Sequence, residues 1–150
     1  MKKASILILL FTSLTLQGFS QNLVKDTVEI RRVLTDFFEV FTNPDMKHFD
    51  RNCVTNFELY DVGEIWNVDT IRNYVKTAQS QPQEWKRTNR FDFIKFNFRE
   101  KMAWVSYHNY AHLVNAKNNK TVDIHWLESI ILEKIKGKWW LVQMHSTRVK

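Results

Sequence analysis

From Phe91 to the C-terminus the chain leaves the helical period for a period of two and keeps it through four long runs. Phe91, Phe93, Lys95 and Asn97 alternate with Asp92, Ile94, Phe96 and Phe98. Met102 to Val114, Val122 to Ile135 and Lys138 to Val149 follow as further strands, parted by turn-like segments. Strands usually stop at about 10 residues, so these lengths predict a strongly bent sheet that wraps around something. That something precedes it. Ile30, Val33, Leu34, Phe37, Phe38 and Phe41 fall on one helical stripe, with Arg31, Arg32, Asp36 and Glu39 off it. Asp26 and Glu29 have capping-box spacing at its start. Asn43-Pro44 ends it and opens a short second helix carrying His48 and Phe49. Phe57 to Val62 alternates as a strand. A third helix follows Asp69, with Ile71, Tyr74, Val75 and Ala78 on one face, and Gln79 to Arg90 reads as a polar loop.

The first twenty residues have another character. Lys2 and Lys3 precede an apolar run from Ala4 to Leu16, and small residues stand at Gly18 and Ser20 before a cut after Ser20. This is the layout of a secretory signal peptide, and the run is shorter than the about 20 apolar residues that span a bilayer. The expectation is an exported protein, periplasmic or extracellular, with residues 1–20 as leader, 21–150 as one domain and no stable membrane anchor. Removing Lys2 and Lys3 lowers the formal charge from +6 to +4. The remaining excess gathers at Lys134, Lys136 and Lys138 and at Arg148 and Lys150, turn and terminal positions where lysine protects sheet edges. No recognition helix or basic stripe accompanies them, so nucleic acid is not an expected partner. One cysteine excludes a disulfide scaffold, and Cys53 reads as a small buried side chain. Three glycines leave no phosphate-cradling loop, so no cofactor is expected.

Lys136-Gly137 suits a two-residue hairpin turn. If Ile135 faces Lys138, Glu128 lies opposite His145, Ile130 opposite Gln143, Leu132 opposite Leu141 and Trp126 opposite Thr147. One face then gathers Trp126, Glu128, Ile130, Leu132, Trp139, Leu141 and His145. The other receives Leu127, Ile131, Trp140, Val142 and Met144. A half-solvated antiparallel sheet should show one polar face. Two apolar faces predict that one meets the helices and the other a second copy of the chain. The expected homodimer uses Trp140, Val142 and Met144.

Glu128 and His145 are the sharpest chemical pair this register offers, because a carboxylate opposite an imidazole orients the ring and raises its basicity. The same pair also serves as a plain cross-strand contact. Asp61, in phase with Phe57 and Leu59, is a second candidate base. Trp104, His108 and Tyr110 alternate together on the next strand and, with Trp126, are candidate ligand contacts. A slip of one residue would replace His108 and Tyr110 with Tyr107 and Asn109. His108, His112 and His125 lie on one stretch of sheet, but no metal-ligand spacing occurs and no metal is expected.

The order of elements, and the stretch from Glu128 through Gly137-Lys138-Trp139 to His145-Ser146-Thr147, resemble the nuclear transport factor 2-like superfamily and its SnoaL-like branch. Phe57 to Trp66, a strand leading to a Trp before a helix, also suits that branch. The likeness covers 23–149. It implies a cone-shaped α+β roll of the cystatin-like kind, a curved antiparallel sheet around N-terminal helices with a pocket inside. Relatives include ketosteroid isomerase, scytalone dehydratase, limonene epoxide hydrolase and polyketide cyclases, and none of their catalytic motifs maps residue by residue onto this chain. Three functions follow as expectations. The first is a pocket for a small apolar or aromatic molecule with a polar handle. The second is a cofactor-free lyase, isomerase or hydrolase using Asp61 or Glu128 with His145. The third is an interaction module whose interior is filled by Trp104, Trp126, Trp139 and the phenylalanines of the first helix.

Overall fold

The computed structural model describes the backbone from Lys3 and the side chains from Leu23 onward; the leader expected over residues 1–20 lies outside the described side chains. Helix α1 (Lys3–Thr42) is followed by α2 (Met46–Asp50), β1 (Cys53–Asp61), β2 (Glu64–Trp66), α3 (Val68–Gln79), β3 (Trp85–Arg99), β4 (Met102–Asn115), β5 (Thr121–Ile135) and β6 (Lys138–Arg148). The chain up to Arg32 is one compact unit and Val33–Lys150 another. The second unit carries the α+β fold. Its six strands form one open, curved sheet in the order β2-β1-β6-β5-β4-β3, antiparallel except where β1 runs parallel to β6.

Within that unit, Val33, Leu34, Phe37 and Phe38 of the expected stripe are buried. Phe37 meets Phe57 at 5.5 Å between ring centres, and Phe38 meets Phe91 at 5.0 Å, so the helix lies against the sheet's concave side. Tyr107, Ile130, Leu132, Trp139, Leu141 and Met144 complete the core. Cys53 is buried, and burial pushes its thiol well up, which leaves it unreactive.

Three element boundaries differ from expectation. Asp26 lies inside α1, where there is no orphan helix-end N–H for it to cap. The cap of α2 is Asp45, which accepts from the Lys47 N–H at 2.9 Å, while the Asn43 amide donates back to Glu39. The expected loop before Arg90 is already strand from Trp85, because Lys86 to Arg90 pair with β4.

Two bulges set which side chains face inward. On β3, Phe93 pairs with Tyr107 but Lys95 with Ser106, so Ile94 is extra, and Phe91, Phe93, Phe96 and Phe98 share the inner side. On β6, Leu141 pairs with Leu132 but Gln143 with Ile131, which leaves Val142 as the extra residue. The hairpin turn itself is as expected, with Lys136 and Gly137 at φ 50° and 83° and Ile135 opposite Lys138. Beyond the bulge every residue moves by one. Met144 is therefore buried in the core at 1% exposure and does not join Trp140 and Val142 on the outer face.

Candidate functional site

Ser146, on the central strand β6, organises the site. The shifted register sets Ser146 opposite Glu128 of β5, and the parallel pairing on its other side sets it beside Asp61 of β1. Three adjacent strands thus present a carboxylate, a hydroxyl and a carboxylate at one level. Ser146 Oγ donates to Glu128 Oε1 at 3.0 Å, and Asn109 Nδ2 donates to the same oxygen at 3.4 Å. Glu128 is 4% exposed. Its other oxygen, Oε2, lacks a partner, as do Asp61 Oδ1 and the Tyr107 hydroxyl on the strand facing Glu128.

Arg87 closes the site. Its guanidinium lies 5.3 Å from the Trp126 ring, 5.6 Å from Phe41 and 6.0 Å from Phe38, an aromatic box that holds the cation out of water. Nε donates to Asn89 at 3.0 Å, and Asn89 donates to Asn109 at 2.6 Å. A single polar chain therefore runs from Arg87 through two asparagines to Glu128 and Ser146. No hydrogen bond occupies the Nη edge of Arg87 among the described residues. Together Phe38, Phe41, Leu59, Asp61, Trp66, Arg87, Trp126, Glu128, Met144 and Ser146 wall a cavity of about 70 Å³.

Burial governs the ionisation. Loss of hydration pushes Glu128 up to about 6, against the hydrogen bonds from its neighbours and the charge of Arg87. Asp61 is raised as well, chiefly by burial, while Ser146 and Arg87 pull it back. Burial lowers Arg87, and the charges of Tyr74, Glu128 and Asp61 oppose that. A carboxyl that titrates near neutrality, beside a second carboxyl and a cation in an apolar enclosure, has the character of a general base or acid.

The structure brings Asp61, Glu128 and Trp126 together at this cavity. The expected Glu128–His145 pair is not formed. The Val142 bulge turns His145 outward, opposite Ser129, where it lines an open groove of about 890 Å³ with Tyr60, Ile65 and Val149. Trp104, His108 and Tyr110 also face away from the cavity, because the inward phase of β4 is Ala103, Val105, Tyr107, Asn109 and Ala111. Trp104 is 46% exposed. Residues not singled out from sequence are Arg87, Asn89, Ser146 and Trp66. Arg87 was hidden in a run read as loop. Ser146, one place after the histidine, emerges only with the bulge.

No family model matches the chain, and no curated protein does. Solved structures do match, at low sequence identity. A hub homology domain of CamKII from Chlamydamonas reinhardtii aligns at TM-score 0.71 and 18% identity, over 83% of this chain and 99% of that one. The chain carries the nuclear transport factor 2-like fold. A hexachlorocyclohexane dehydrochlorinase aligns at TM-score 0.70 and 8% identity, over 87% of this chain and 90% of that one. A ketosteroid isomerase-like protein from Erwinia carotovora atroseptica aligns at 0.60 and 12%, over 82% and 95%. This fold serves isomerase-like, dehydrochlorinase and hub proteins alike, so the side chains must decide the function.

Proposed function

We propose that the chain is an exported small-molecule pocket protein of the SnoaL-like type, mature from residue 21, whose ligand exchanges a proton with Glu128. The observation that carries this reading is the open polar edge of the cavity: Glu128 Oε2, Asp61 Oδ1 and the Nη edge of Arg87 all lack partners there. A ligand that satisfies them has an oxygen acceptor for Arg87 and an acidic C–H or O–H for a carboxylate. Glu128 would take the proton while Arg87 stabilises charge growing on the oxygen, which is cofactor-free isomerase or lyase chemistry. The cavity of about 70 Å³, open on one side, is far below the roughly 300–1,000 Å³ of drug-sized sites, so the ligand is compact, its apolar part set against Trp126 and Phe41.

The test uses two- to five-carbon ketones and carboxylates as probes. Binding is read from the indole resonances of Trp126 and Trp66, and proton transfer from deuterium uptake at the carbon next to the carbonyl. The expected result is catalysed uptake that Glu128→Gln lowers by at least about 100-fold, as for loss of a general base. The small cavity also favours a second reading, in which the interior is filled and the domain serves assembly. Indole resonances unmoved by every probe would select it. In either reading we propose that a second copy covers the outer sheet face, where Trp104 and Leu127 are 46% and 44% exposed beside Trp140 and Val142. The fold's occurrence in an association domain of C. elegans CaMKII supports such use of the scaffold.

A further inference from the structure

We propose that His108 and His125 form a transition-metal site on the outer face of the sheet, binding Cu(II) in place of the proton they share. β4 and β5 run antiparallel with His108 opposite Leu127 and Tyr110 opposite His125, so the two histidines are diagonal neighbours on one face. His108 Nδ1 and His125 Nε2 approach to 2.8 Å. Two neutral imidazoles joined this way share one proton, one nitrogen donating and the other accepting. A metal asks for nearly the same spacing. Two metal–imidazole bonds of about 2.0–2.1 Å at a right angle set their nitrogens about 2.9 Å apart. Right-angled nitrogen and oxygen ligation is the preference of Cu(II) and Ni(II), and Cu(II) binds such donors more tightly.

The rings are already held in place. Tyr110 stacks on His125 with centres 4.3 Å apart and planes 15° apart, and the Arg90 guanidinium covers Tyr110 at 4.2 Å. Arg90 is itself ion-paired with Asp92, the residue opposite His108 on β3, so its charge is balanced locally. To bind metal, the donating imidazole moves its proton to its other ring nitrogen, and both facing lone pairs then point at the ion. No proton is lost from the pair and no electron moves. Two imidazoles leave further coordination positions to water, and on the His125 side the pair borders a shallow concavity of about 500 Å³ lined also by Tyr110, His112 and Asp123. Among the described residues no cluster of three or more histidine, cysteine or acidic side chains is set for a metal, so this is an open, exchangeable site rather than a structural one. It lies on the opposite side of the sheet from Glu128 and does not depend on the acid–base reading.

Titration of the full chain with Cu(II) alone, followed by electron paramagnetic resonance, tests this. The expected spectrum shows one ion per chain coupled to two imidazole nitrogens. His108→Ala and His125→Ala should each lose that two-nitrogen pattern, while His112→Ala and His145→Ala keep it. Far-ultraviolet circular dichroism confirms that the variants are folded, and His125→Asn replaces any Ala variant that is not. No bound ion in the parent protein, or a two-nitrogen signal that survives the loss of either His108 or His125, overturns the site.

Discussion

Glu128 is where stability and function pull apart. Its folded-state carboxyl titrates at about 6 against an ordinary 4.5, so the stability it contributes is complete below about 4.5 and is lost as pH rises through 6. Glu128→Gln keeps the acceptor for Ser146 and Asn109 but cannot ionise. It should leave stability unchanged near pH 4 and raise it by about 2 kcal/mol at pH 8, as read from urea unfolding at both pH values. Equal stability at pH 8 would show that the carboxyl is not held up by burial. Asp36 has the opposite sign. Arg51, Asn52 and His48 all bond it, and these bonds hold its carboxyl well below the usual range. That cluster stabilises the fold at neutral pH; its contribution begins to fall below about 4 and goes only as pH drops through the lowered folded value, so Asp36→Asn should cost about 2 kcal/mol at pH 7 and still a good part of that at pH 3. Asp61, Glu128 and Trp126 could be read from the sequence because each alternates in phase with buried neighbours, Leu59 or Ile130. Arg87 could not, since a lone arginine among polar residues gives no sign that Phe38, Phe41 and Trp126 will enclose it.

At the scale of elements, periodicity located the helices and five of the six strands, all but the three-residue β2, but could not locate the bulges. Strand alternation reports which residues share a face only while the register is continuous. Ile94 and Val142 are both ordinary strand residues, so nothing local marks them as extra. The Val142 bulge decides the site, for it trades His145 for Ser146 beside Glu128. Because Val142 is the extra residue, deleting it leaves Gln143 opposite Ile131, and Met144 and Ser146 keep their inward places in a continuous register. The deletion should therefore leave the fold intact and the indole resonance of Trp126 close to its parental position, as seen in thermal unfolding and a proton–nitrogen spectrum. A large shift of that resonance or loss of the cooperative transition would mean that the bulge itself is needed to shape the cavity. The turn at Lys136-Gly137 was legible because its chemistry is local. Gly137→Ala meets no atom within 4 Å yet forces a side chain to φ 83°, so about 1 kcal/mol should be lost through backbone strain alone.

For the whole molecule, the aromatic content divides between two tasks, and that division bears on assembly. Phe37, Phe57, Tyr107 and Trp139 fill much of the interior, leaving a cavity of about 70 Å³ by Ser146 and a recess of about 210 Å³ between Phe38 and Arg87. Trp104 and Leu127 stay exposed on the outer face, with Trp140 and Val142 half-buried on β6, and burial in the isolated chain does not fully account for them. A chain this rich in outward tryptophan gains by covering it, and a second copy offers a self-complementary surface. Trp140 sits opposite Glu133 near the β5–β6 turn, eight residues along β5 from His125, while Leu127 pairs with His108, so the covered patch runs from the tryptophan end to the border of the histidine pair. Sedimentation of the protein should therefore give twice the chain mass at micromolar concentration. Trp140→Glu should return the mass to that of one chain while the melting transition stays cooperative, because its side chain does not enter the core. A parent protein that sediments as a single chain would leave the outer tryptophans exposed and end the case for a dimer.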